Sequence, residues 1–148
     1  MQATKTQVDL ANIFQQRYFL ATADGTAGEQ VTLIFKICDE EEWRAAERVG
    51  AYDGSPVDRR DGFIHFSTAE QLAETAARHF ARRDDLVLIG VWGTGLGAAL
   101  RYEPSRGGAL FPHLYGTLQL KNVCLVAPMQ LGEDGVHRLP LNRLRTLP

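Results

Sequence analysis

Along the chain the apolar positions change their period several times, and each change marks an element. The run "VTLIFKI" from Val31 is β-branched and aromatic and has strand length. Asp39 follows it with Glu42 three residues on, the pattern that opens a helix. The spacing predicts a helix over 40–49, with Trp43, Ala46 and Val49 on one stripe and Gly50 as its stop. "AYDGSPVDRRDG" reads as loop, because glycine, proline, serine and aspartates crowd it. "GFIHFS" then alternates as a strand, with Phe63, His65 and Ser67 on one face and Ile64 and Phe66 on the buried other. Ser67 and Glu70 form a second capping pattern, so a helix opens near Thr68 and carries Leu72, Ala76, His79 and Phe80 on one stripe.

"DLVLIGVW" is continuously apolar, the mark of a strand buried on both faces. "GTGLGAAL" reads as a glycine-rich loop, since no amphipathic helix follows to complete a dinucleotide-binding fingerprint. "LRYE" resumes a short strand, "PSRGGALFPHLYG" is a long loop, and "TLQLKNVCLVAPMQL" holds one or two more strands. From Gly132 the chain reads as a turn and a weakly ordered end in which His137 is solvated. The predicted order is β-α-β-α-β-β-β-β, an α+β domain over 31–141. Residues 1–30 form an extension and linker, and 142–148 a tail.

Composition narrows the classes without changing this outline. With 148 residues, 45% hydrophobic and 23% charged, the chain builds one conventional core. Sixteen basic and 18 acidic side chains leave a net charge of -2, which argues against general nucleic-acid or anionic-lipid binding. No apolar run reaches membrane-span length and no leader pattern opens the chain, so a cytoplasmic protein is expected. Cys38 and Cys124 lack zinc or disulfide spacing and are expected reduced; Cys38 stands just before a helix start, which can lower a thiol pKa.

Three polar clusters stand apart from this skeleton: Asp58, Asp61, His65, Ser67 and Thr68; Arg101 and Glu103; and Arg106, His113 and Tyr115. Gly107 and Gly108 let backbone N–H groups approach a ligand, Arg106 suits a phosphate or carboxylate, and the aromatics wall a pocket. Each residue also has a structural reading. His65 can be held by Ser67 or an aspartate for bracing, Asp58 and Asp61 can make turns, and Arg101 and Glu103 can form a surface pair. His79 then belongs to helix packing. No spacing that fixes a metal is present, and the serine-hydrolase elbow is missing.

The pieces "GSPVDRRDGFIHFSTAEQLAETA" and "LRYEPSRGGALFPHLYGTL", joined by "DLVLIGV", resemble the bacterial and plant family catalogued as the domain of unknown function nine hundred and fifty-two. At superfamily level that family is similar to ADP-ribosyltransferase-like folds. The resemblance implies a strongly bent or split, antiparallel-rich sheet with two helices, and NAD as a cofactor or substrate. It gives His65 a ribose-contacting role with Ser67 and Thr68 in the turn, His113 or Tyr115 the nicotinamide end, Glu103 the acidic role and Arg106 the phosphate. The turn glycine of those folds is Phe66 here. The ligand so implied is nucleotide-like and anionic. Two further readings stay open, a non-catalytic binding or interaction module and a metal-dependent hydrolase.

Overall fold

A computed structural model describes residues 33–140; the predicted extension over 1–30 and the tail over 142–148 lie outside the described residues. Strand β1 (Leu33–Asp39) pairs antiparallel along its whole length with β5 (Leu86–Trp92), which pairs on its other side with β9 (Val123–Pro128). The two-residue strand β4 (Ser67–Thr68) adds to the far edge of β1, giving the sheet order β4-β1-β5-β9. A second sheet, β3-β7-β6, is built from Ile64–His65, Leu110–Leu114 and Leu100–Pro104. Two small pairs complete the strands: β2 (Ala51–Tyr52) with β8 (Leu118–Gln119), and β10 (Gln130–Leu131) with β11 (His137–Arg138).

Alternation along β1 and β5 divides the core into two layers. Leu33, Phe35, Ile37, Leu86 and Leu88 face Leu72 and Ala76 of helix α3 (Ala69–His79). Ile34, Cys38, Val87, Ile89 and Val91 face Trp43 and Ala46 of α1 (Glu40–Val49), together with Ile64 and Leu114 of the second sheet. The fold is α+β, as the pattern along the chain predicts, and its strands pair antiparallel, as the resemblance implies.

Several expectations are corrected. Val49 is 79% exposed. Six residues at about 100° each carry it roughly 120° around the helix from Trp43, off the core stripe. "GSPVDRRDG" is not all loop: Ser55, Pro56 and Asp58 open a third helix, α2 (Pro56–Asp61), with a complete capping box and proline in its first turn. The cap of α3 is Thr68 with Gln71, not Ser67 with Glu70, because the Ser67 hydroxyl is buried and shares a hydrogen bond with Thr75 at 2.9 Å. "GTGLGAAL" contains a 3-10 stretch (Gly93–Ala99) rather than an open loop. His79 is exposed at the end of α3. His137 is buried, not solvated: the β10–β11 hairpin docks it so that Nε2 lies 2.7 Å from the Arg83 carbonyl oxygen.

Two corrections bear on the site. "SRGGALFPHLYG" is mainly β7, a strand paired on both sides, with only a tight turn through Gly107 and Gly108, both at positive φ. "GFIHFS" is not one strand but two. Ile64 and His65 pair with β7, Ser67 and Thr68 with β1, and Phe66 between them donates its N–H to Pro112 O at 2.9 Å. The return bond from residue 112 to Phe66 cannot form, because proline has no N–H. The ladder ends there and the chain crosses to the other sheet.

Candidate functional site

That crossing opens a cleft of about 820 Å³ between β1, α2, α3 and the β3–β7 pair. Lys36, Asp58, Asp61, His65, Ser67 and His113 line it. The capping box that nucleates α2 turns Asp58 inward, where it is 2% exposed. Its Oδ1 accepts from His65 Nδ1 at 2.6 Å and from His65 N at 3.2 Å, and its Oδ2 from Lys36 Nζ at 2.7 Å and Ser55 N at 2.9 Å. Burial by itself raises the Asp58 pKa, but the bonds from His65, Lys36 and Ser55 outweigh it and hold the carboxyl well below the usual carboxylate range.

Nε2 of His65 lies 3.1 Å from Oδ2 of Asp61, so the ring is bracketed by two carboxylates. Across the β3–β7 register His65 is the partner of His113, with ring centroids 5.4 Å apart and edge to face. His113 donates from Nδ1 to Glu103 Oε1 at 2.8 Å, and the Tyr115 hydroxyl donates to the same oxygen at 2.7 Å. These two bonds, the one from His113 the stronger, lower the Glu103 pKa, and the bond to Glu103 raises that of Tyr115. Phe63 stacks on His113 at 4.1 Å and touches His65 and Tyr115, binding the rings into one block.

Two carboxylate-held imidazoles therefore face one cleft. Nδ1 of each is fixed by an acidic partner, leaving His113 Nε2 without a hydrogen bond among the described residues. Such an arrangement can donate to, accept from or exchange a proton with a bound hydroxyl or phosphate.

The other residues singled out in the sequence are placed around this pair. Glu103 and Tyr115 stand behind His113, and Arg101 lies over the Tyr115 ring at 4.7 Å instead of pairing simply with Glu103. Thr68 caps α3. Gly107 and Gly108 form the exposed β6–β7 turn that begins at Arg106, where Gly108 N–H is taken by Ser105 O at 2.8 Å. Phe66, at the position where the resemblance replaces a glycine, keeps its N–H on Pro112 and its side chain in the core. Burial raises the Cys38 thiol to about 11, the opposite of activation by the helix start beside it. Among the described residues no group of three or more His, Cys, Asp or Glu is arranged to hold a metal ion.

One member of the site was missed in the sequence. Lys36 sits mid-strand in "VTLIFKI", and a lysine inside an otherwise apolar buried run signals a buried partner.

A family model described as "Protein of unknown function (DUF952)" matches residues 37–126. Among solved structures, the crystal structure of protein CC0527 from Caulobacter crescentus is 47% identical, covers 76% of this chain and 99% of that one, and has a TM-score of 0.72. The solution NMR structure of CC0527 is 47% identical over 74% of this chain and 95% of that one, with a TM-score of 0.67. No curated protein matches the chain.

Proposed function

The chain belongs to the family of proteins of unknown function DUF952, and we propose that its cleft binds a nucleotide-like small molecule through the ribose, with ribosyl transfer as the reaction. The observation that carries this reading is the pair of carboxylate-held imidazoles, His65 and His113, facing one cleft of about 820 Å³. A cleft of that size suits a nucleotide or dinucleotide. The imidazoles and Asp61 match the vicinal hydroxyls of a sugar. The cleft also carries Asp39, Glu42 and Asp58, so an anionic part of the ligand is better placed outside it, toward the Arg106–Gly108 turn.

In the transfer, the bond from ribose C1′ to its leaving group breaks and the bonding pair departs with that group. An acceptor hydroxyl forms the new bond to C1′, and its proton passes to His113 Nε2. Glu103 stabilises the imidazolium so formed and acts as a positioning residue. Phe66 in the turn supports a ligand geometry different from that of ADP-ribosyltransferase-like enzymes, with which we group this chain by resemblance.

NAD and ADP-ribose titrated into the labelled full chain test the reading through the ring signals of His65 and His113. Saturable shifts of both rings are expected; unmoved rings at millimolar ligand in a folded protein overturn it.

A second reading, a non-catalytic module, is favoured by Asp58, whose bonds tie β1, α2 and β3 together. Under it, His65→Ala and His113→Ala each cost roughly 1–3 kcal/mol of stability and change no ligand response. Under the first reading both substitutions abolish the NAD or ADP-ribose response.

A further inference from the structure

Strand register decides which main-chain groups of β1 face the cleft. Residues 33–39 pair with 92–86 without a shift, and one step further on Glu40 N donates to Asp85 O at 2.9 Å. Hydrogen-bonded pairs alternate along an antiparallel ladder. Lys36 and Cys38 therefore turn their N–H and C=O toward β5, while Phe35, Ile37 and Asp39 turn theirs the opposite way. Phe35 meets Ser67 of β4 on that side.

By the same register the partner of Ile37 would be residue 65. His65 is instead paired with His113 in the other sheet, because the chain changes sheets at Phe66. Ile37 is left with an N–H and a C=O side by side, facing the cleft, and neither has a hydrogen-bond partner among the described residues. The residue is 5% exposed. Main-chain groups of so buried a residue are nearly always satisfied, and here the cleft contents must do it.

We propose that Ile37 is the amide-recognition point of the cleft: a ligand group with N–H and C=O on the same side, a cis amide, takes the place that residue 65 vacates. Its C=O accepts from Ile37 N–H and its N–H donates to Ile37 C=O. Primary carboxamides and the lactam edges of nucleobases have this geometry. A secondary trans amide points its two groups apart and cannot make both bonds, and a carboxylate has no N–H to offer. Next to Ile37, Lys36 and His65 are joined through Asp58, so a ligand held by its amide lies against the imidazole pair. The proposal rests on the cleft being a ligand site and specifies the chemistry that enters it.

The test uses the uniformly 15N-labelled full chain. In the free protein the Ile37 amide should exchange with solvent at least about tenfold faster than those of Lys36 and Cys38, which are bonded to β5. Benzamide and uracil, one a carboxamide and the other a lactam, should each move the Ile37 N–H resonance downfield saturably and slow its exchange. Comparing the two identifies which source of cis amide is preferred. N-methylbenzamide and benzoate should leave it unchanged.

An Ile37 amide as protected as its neighbours overturns the proposal. So does a response to benzamide and uracil no larger than that to N-methylbenzamide, which would mean that water alone occupies the edge. If NAD or ADP-ribose shifts the histidine rings while both cis amides leave Ile37 untouched, the amide site fails and the ribose-binding reading stands. If neither set of ligands acts, both fail.

Discussion

At the residue scale the site is organised by one buried carboxylate. Asp58 is neutralised by Lys36 and fixes His65, so removing the lysine alone leaves a desolvated charge without its main cationic partner. Lys36→Met is expected to cost about 3–5 kcal/mol in urea unfolding, and adding Asp58→Asn should recover part of that loss. Asp61 acts differently. It is partly exposed and its Oδ2 covers the outer nitrogen of His65. Asp61→Ala should leave the urea midpoint nearly unchanged while diethyl pyrocarbonate modifies His65 several-fold faster, as followed by peptide mass mapping. An unchanged modification rate would show that Asp61 does not shield Nε2. His65 and Asp58 fall in one polar cluster of the sequence, where Ser67 or an aspartate could hold the histidine; that the holder is Asp58 and that Lys36 joins it depends on the short helix α2, which a separation of seven residues does not reveal.

At the scale of elements, α2 is what turns "GSPVDRRDG" from a presumed loop into the wall of a cleft. Ser55, Pro56 and Asp58 are a legible helix start, outweighed in the sequence by the surrounding glycines and charges. Gly54 precedes it at φ 106°, and a Cβ there would stand 2.7 Å from the Asp58 Cβ. Gly54→Ala is accordingly expected to destabilise the fold by roughly 1–3 kcal/mol and to shift the His65 ring signal, measurable by melting and NMR on the same sample. A destabilised protein with an unmoved His65 signal would separate the turn from the site. The other decisive element is β7, concealed in the sequence by its own proline. Pro112 suggests loop, yet its missing N–H is aimed at Phe66, the point where the ladder ends and the cleft begins.

For the whole molecule, acid should act chiefly through Asp58. Its folded pKa is depressed, so the stability it contributes is present above the unfolded value of about 3.9 and is lost as pH falls below that. Glu42 opposes it: burial and then Asp39 raise its pKa, so its contribution is fullest in acid and fades as pH rises past its ordinary range. The unfolding free energy in urea should climb between about pH 2.5 and pH 5, with Asp58 dominating. A flat profile would mean that Lys36 and His65 do not hold that carboxylate as tightly as their distances imply. Among the described residues no helix is long and apolar enough to cross a membrane.

Local pattern by itself determined the α+β class, the two buried strands β1 and β5, the main helices and the residues most worth watching. Each of these depends on neighbours a few positions apart: period, cap and turn. Tertiary structure alone decided that Lys36 belongs with Asp58 and His65, that His113 faces His65, that Glu103 stands behind a histidine, and that Ile37 has an open edge. Those relations join separate strands and helices, and they depend on where the chain leaves one sheet for another. That point follows from a hydrogen bond that Pro112, 46 residues beyond Phe66, is unable to give.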